Sequence, residues 1–487
     1  MVPWKKYLFK VGQVKLILVK FIALMKFKIF PLHSLVYLIS INSIILFIAS
    51  STRHALFQST AFDLGIFDNG VYLISQGKEP YITFRELHIL GDHAAWIFYP
   101  IALLYKLYAD VHWLFALQAI ALSLAALPTW YLAKLSGLKN SQANTIALVY
   151  LLYPLIFNIN LFDFHPEVIA IPAILWAVLA ARLNKLFWFG VAIIIILGSK
   201  AVLALTVAAM GIWWLIWEKK NLYGIIAIGA GVSWFIIATQ VIIPHFSGEE
   251  AAAVGRYTFL GSSVLEIAKS IIFKPQIILS HLFTLANLEY LFLLFIPVIW
   301  GISWQHLTNL IPAIPTLFLN LLTDYQPQKD LVHQYSLSIV PFLILTVIAS
   351  VAAGNSWLKT NRNIIIWSII AFLALAKFGY FGSKYLSNLD TWQGTNEALT
   401  MIDKQGSVLT AAQIAPHLTH RPVVALAIEG SDSKDITQFE YILLNLRHPG
   451  WNSSSEIVNN LLNQAQQNSQ FKLMYQKDDI LLFQQVK

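Results

Sequence analysis

Apolar runs long enough to cross a bilayer recur from His33 to about residue 380, and they dictate what this chain can become. A crossing needs roughly 20 apolar residues. Inside lipid every backbone N–H and C=O must be bonded within the protein, so runs of this kind fold as helices. The charged fraction agrees: 12% of the 487 residues, against about 25% in soluble domains. The expected fold is a polytopic all-helical membrane protein of about eleven transmembrane helices. The candidate spans are 33–51, 113–133, 143–161, 168–182, 186–198, 201–217, 222–243, 285–300, 307–322, 336–353 and 364–378.

The stretch 94–109 is short and interrupted by Pro100 and Lys106. If it spanned the membrane, the loops carrying Lys134 and Lys139, Arg182 and Lys185, and Lys219 and Lys220 would lie outside. Read as a re-entrant or surface helix, it leaves all three inside with the N-terminus, as the positive-inside rule prefers. Residues 52–112, 162–167, 244–284, 323–335 and the tail then face outward. Seven lysines between Lys5 and Lys28, with no acid before Asp63, make 1–32 a basic cytoplasmic or membrane-surface segment. The net charge of +8 therefore concerns lipid and orientation, and does not indicate nucleic acid. The chain has no cysteine, which excludes disulfides, thiolate catalysis and thiolate metal sites. The weakest point of the topology is the pair 186–198 and 201–217, with Lys200 at its junction.

Beyond residue 380 the pattern changes. SVLTAA (407–412), VVALAI (423–428) and YILLNLR (441–447) read as strands, and FKLMYQ and ILLFQQV as a hairpin across Lys477-Asp478-Asp479. The polar stretch 453–467 reads as a helix. Residues 33–380 are thus expected to form the membrane domain, and 381–487 a small extracytoplasmic α/β domain.

The residues that can carry chemistry sit in the outward loops. FDLGIFD (62–68) holds Asp63 and Asp68 around Gly65, either of which can act as a general base or merely begin a helix. HILGDH (88–93) offers His88, Asp92 and His93, for a phosphate, a metal or a helix cap. FDFHPE (162–167) alternates Asp163, His165 and Glu167 with apolar residues, and Pro166 biases His165 toward an extended backbone. Asp163 and Glu167 suit a divalent ion, and His165 a phosphate-bearing group. Lys200 is costly in hydrocarbon unless paired or snorkelling. Arg256 and Tyr257 in the long outward loop, and Asp324, His333 and Tyr335 in TDYQPQKDLVHQYS, can close over a ligand.

FDLGIFD, GDHAAW, LPTWYLAKL, FHPE, the RY of GRYTFLG, HQYSLSIVPF and VLTAAQIAPHLTHRP followed by YILLNLR together resemble a bacterial and archaeal membrane family, domain of unknown function 2079. The resemblance covers about residues 50–485. That family in turn is similar to glycosyltransferases of the GT-C architecture, which take sugars from polyprenyl-phosphate carriers. The resemblance implies a catalytic acid soon after the first span, matched by Asp63, and a metal- or substrate-binding acid in the second outer loop, matched by Asp163. Two positions depart from the pattern: Leu64 follows Asp63 where many relatives have a polar residue, and Ala201 follows Lys200 where an acid is expected.

The expected function is transfer of a sugar from a polyprenyl-phosphate donor to an unknown acceptor at the outer face of the bacterial inner membrane. Asp63 is the base, with His93, His165, Lys200, Arg256, His333 and Tyr335 binding donor and phosphate. A divalent cation, Mg or Mn, is the candidate cofactor, and no Walker loop or dinucleotide fingerprint calls for a nucleotide. A transporter or flippase for a polar or lipid-linked solute, and a non-catalytic envelope protein, are the alternatives.

Overall fold

A computed structural model describes residues 33–486. The basic segment 1–32 lies outside the described residues. The first long helix, His33–Ala55, has 23 residues and so a length of about 35 Å. It ends where Phe57 adopts a left-handed conformation, φ 57°. Residues 56–111 then form a compact cap: a single π-helical turn (Ala61–Gly65), the helix Ile66–Ser75, a small hairpin of β1 (Tyr81–Ile82) and β2 (Leu87–His88), and the helices Ile89–His93 and Phe98–Leu107. At ten residues, Phe98–Leu107 is about 15 Å long and too short to cross the hydrocarbon.

Most of the helices that follow pack into one apolar core that also takes in the cap, while Val264–Phe273 and Pro275–Leu282 form a separate cluster with Leu322. Among the described residues, five helices are long and apolar enough to cross a membrane, and seven if two bent pairs each count as one span. Eleven were expected. The difference arises where hydropathy counts broken helices as crossings. Leu186–Ser199 and Leu203–Ile216 are 14 residues each and meet at Lys200, whose backbone is extended. The run 307–322 is a 3-10 helix to Ala313 and an α-helix only from Ile314 to Leu322. Small residues let these short helices approach closely: a Cβ on Gly231 would lie 2.6 Å from the Ala204 carbonyl of the neighbouring helix.

The helix Leu389–Leu399 leads into a five-stranded sheet: β3 (Val408–Thr410), β4 (Val424–Leu426), β5 (Tyr441–Asn445), β6 (Phe471–Lys477) and β7 (Ile480–Gln485). Their order is β4-β3-β5-β7-β6, parallel from β4 to β5 and antiparallel beyond. Asp478 and Asp479 both take positive φ, as a two-residue hairpin turn with the twist of its strands requires. β5 is buried throughout, so the sheet is covered on both faces. The helix Ser455–Gln467 covers one face. The other shares a core with Ala398, Ile402 and, from the cap, Phe57 and Ala61. The sheet is thereby fastened to the cap. Ala61 N–H donates to the Ala412 carbonyl at 3.0 Å, Thr83 Oγ exchanges hydrogen bonds with Val424, and the His54 and His417 rings stack 3.9 Å apart.

Candidate functional site

The π turn sets the position of Asp63. Its wider i→i+5 bonding is closed by Gly65 N–H to the Thr60 carbonyl at 3.1 Å, and turns of this kind are frequent at functional sites. Asp63 Oδ2 accepts the Thr60 hydroxyl at 2.7 Å, and Oδ1 lies 3.4 Å from His165 Nε2. Burial alone would raise its pKa, but His165, Thr60 and the more distant Arg53 outweigh that and hold the carboxyl below its usual value.

His165 is fixed from three sides. Its backbone N–H donates to Gln118 Oε1 at 3.2 Å, and its ring lies between Phe162, stacked at 5.4 Å, and the edge of Phe67 at 5.7 Å. Two residues earlier Asp163 has φ 80°, a conformation in which Asp and Asn are enriched among non-glycine residues. That turn directs its carboxylate away from the cavity to Arg53 and to the Thr60 N–H, the latter at 3.0 Å. Pro166 then starts the helix Glu167–Arg182. Glu167 Oε1 pairs with Lys200 Nζ at 2.5 Å, while its Oε2 is buried without a hydrogen-bond partner. The helix break at Lys200 is secured by the cap, since Ala201 N–H donates to the His93 carbonyl and Ile97 N–H to the Gly198 carbonyl, each at 3.0 Å.

Arg256 sits between two tyrosine rings, 4.5 Å from the centroid of Tyr325 and 4.8 Å from that of Tyr335. It donates to Tyr335 Oη at 3.0 Å and to Gln328 Oε1 at 3.1 Å, and among the described residues it meets no carboxylate. His333 is held by Asp330 at 2.7 Å and abuts Phe162.

These groups surround one cavity of about 970 Å³. Asp63, Asp92, His93, His165, Glu167, Lys200, Arg256, Tyr257, His333 and Tyr335 line it, which unites ten of the residues singled out in the sequence. Much of the wall is apolar, from Leu203, Leu205, Ile267, Ile271 and Leu319.

Two expected members lie elsewhere. Asp68, expected beside Asp63 as a catalytic acid, is buried behind the cap, where Tyr105 and Thr419 donate to it and His420 lies 3.2 Å away. It holds the cap to the sheet domain. Asp163, expected as a metal ligand, is occupied by Arg53 and Thr60. Glu167, the other expected ligand, is paired to Lys200 through Oε1. Among the described residues no group of three or more His, Asp or Glu side chains is placed to hold a metal ion. The two carboxylates expected to hold a divalent cation, Asp163 and Glu167, are each paired with a cation instead.

Sequence reasoning missed Arg53, Thr60, Arg85, Tyr325, Gln328 and Trp451. Arg53 carried one signal, a cation at the end of an apolar run. Its partner, however, is 110 residues away.

The family model described as "Predicted membrane protein (DUF2079)" matches residues 53–482. No curated protein matches the chain. Among solved structures, the fold is similar to that of ArnT from Cupriavidus metallidurans bound to undecaprenyl phosphate. The TM-score is 0.55 at 11% identity, covering 93% of this chain and 98% of that one. The apo state of the same protein gives a TM-score of 0.52 at 10% identity, covering 92% and 97%. The chain thus has an ArnT-like fold.

Proposed function

This chain belongs to the DUF2079 family of predicted membrane proteins, and we propose that it is a membrane glycosyltransferase. It moves a sugar from a polyprenyl-phosphate donor to an acceptor hydroxyl. The observation that carries this reading is the cavity itself, where the Asp63 carboxylate, cations that include Lys200 and Arg256, and an apolar wall share one space. A lipid phosphate needs the last two, and an attacking hydroxyl needs the first. The likeness to a structure of ArnT bound to undecaprenyl phosphate supports the donor class.

In the proposed step the acceptor oxygen attacks the anomeric carbon, the new C–O bond forms, and the bond from that carbon to the phosphate oxygen breaks. Asp63 accepts the hydroxyl proton. A carboxylate of low pKa is a weak base, so the proton moves late, once bond formation has made the hydroxyl acidic. His165 shares the charge at 3.4 Å. The departing phosphate gains negative charge beside Arg256, whose present partners are all neutral, and Lys200 adds a second cation. Fixed charges aimed at developing charge form the dominant kind of catalytic stabilisation. Glu167 Oε2, buried and unbonded, accepts a donor-sugar hydroxyl. No step is assigned to a divalent ion.

The helix Glu167–Arg182 runs from the cavity to the turn where Arg182 pairs with Glu218 at 2.7 Å. Basic turns therefore lie at the end remote from the cavity, which supports an outward-facing site and a cytoplasmic N-terminus in the bacterial inner membrane. Binding of undecaprenyl phosphate to Arg256→Gln tests the donor site. The affinity is expected to fall about 10- to 100-fold, the loss of a charge-assisted contact. Unchanged affinity would remove Arg256 from the phosphate site.

A further inference from the structure

The cavity has a rim that the donor reading leaves unused. Trp451, from the loop between β5 and the helix Ser455–Gln467, lines the cavity yet is 58% exposed. Its ring packs against Phe62 at 4.8 Å, next in sequence to Asp63, and Phe62 in turn meets the edge of Phe84 at 6.4 Å. The loop carrying Trp451 is firmly placed. Gly450 has φ 94°, a left-handed backbone conformation that favours glycine. Gln413 Nε2 donates to the His448 carbonyl at 2.8 Å, and Glu429 N–H to the Asn452 carbonyl at 2.9 Å.

Arg85 lines the same cavity, directly after Phe84. The hairpin turn is held to the sheet domain on either side of it, by Thr83 to Val424 at 2.6 Å and by Glu86 to Lys434 at 3.3 Å. Lys200 has Glu167, and Arg256 has Tyr335 and Gln328. Among the described residues the half-buried Arg85 side chain has no hydrogen-bond or ion-pair partner, and the Trp451 indole N–H has none. A guanidinium partly withdrawn from water regains its solvation cost from an anion, best a carboxylate or phosphate gripped by two N–H groups. An exposed indole offers a flat apolar face and a donor. Together these match a sugar ring that carries an acidic group.

We infer that Phe62, Arg85 and Trp451 form a second subsite of the cavity, one that takes an acidic saccharide. The ring lies on Trp451 and its carboxylate or phosphate on Arg85. If the transferase reading holds, this ligand is the acceptor, brought to Asp63 by the residue adjacent to it. The sheet domain then acts as half of the acceptor site.

The test is binding to the full-length protein in detergent, with three probes: tetragalacturonate, a monophosphorylated maltotetraose and maltotetraose itself. Undecaprenyl phosphate binding is measured in parallel. At least one acidic probe is expected to bind about ten-fold or more tighter than maltotetraose. Arg85→Gln and Trp451→Ala should each remove about ten-fold of that affinity, Trp451→Phe should keep most of it, and all three should bind undecaprenyl phosphate as the wild type does. The two acidic probes separate carboxylate from phosphate recognition. Equal binding of acidic and neutral probes, or acidic binding unchanged in Arg85→Gln and Trp451→Ala, overturns the subsite even if the lipid phosphate binds. Acidic binding that follows these variants while the lipid phosphate fails to bind keeps the subsite and overturns the donor reading.

Discussion

Asp63 and Asp163 lie within one hydrogen-bond network and are set for opposite tasks. Thr60 serves both, its hydroxyl on Asp63 and its N–H on Asp163, so one backbone turn fixes two carboxylates. Asp63 faces the cavity with its pKa held below the usual range, and it stays charged until the medium is more acid than about pH 3.9, the ordinary Asp value. Transfer measured as kcat/KM is therefore expected to show no acid limb from Asp63 between pH 5 and 8 in a pH-rate profile. Asp163 is buried against Arg53, and breaking a buried pair by removing one partner costs about 3–5 kcal/mol. Arg53→Met should lower the thermal midpoint in detergent sharply, and adding Asp163→Asn should restore part of the loss. Asp63 and His165 were legible because acids and histidines stand out between apolar runs. The division of labour between Asp63 and Asp68 was not, because five residues of spacing say nothing about Thr419, which takes Asp68 from 351 positions away.

The cap and the sheet domain meet at a seam with two histidines of opposite behaviour. Burial lowers the pKa of His417 to about 4. Its folded value is below the unfolded one, so it is neutral when folded, and stability falls as pH drops from about 6.5 toward 4. His420 is also buried, but Asp68 more than offsets this and raises its pKa. Its contribution is complete below the unfolded value and is lost as pH rises through the raised one. The thermal midpoint is expected to peak between these limits, and His417→Asn should relieve the loss on the acid side. The strands of this domain were readable as short apolar runs bounded by turn residues. The crossing count was not. Lys200 marked one break in the sequence, but hydropathy sums a run without showing that the 3-10 stretch Trp304–Ala313 interrupts it, nor that short helices are covered by others.

Across the whole molecule, six parts of the chain converge on the cavity: Asp63 from the cap, His165 and Glu167 from the turn at 162–167, Lys200 from the helix break, Arg256 from the long outward loop, Tyr335 from the segment after it, and Trp451 from the sheet domain. Their placement at one end of the bundle, remote from the Arg182–Glu218 turn, is the arrangement the proposed transferase requires. Since the carboxylates expected to hold a divalent ion are each paired with a cation, transfer should persist in excess EDTA, and a chelator-sensitive rate would return the metal to the mechanism. The central claim is that Asp63 deprotonates an acceptor in a sugar transfer from a lipid phosphate. The most direct measurement is transfer of radiolabel from a panel of polyprenyl-phosphate sugars by the purified wild type and by Asp63→Asn. The claim requires transfer by the wild type, a loss of about 10²- to 10⁴-fold in the variant, and undecaprenyl phosphate binding equal in both. Transfer by Asp63→Asn at the wild-type rate, or lipid-linked sugar moved across vesicle membranes without transfer, would contradict it.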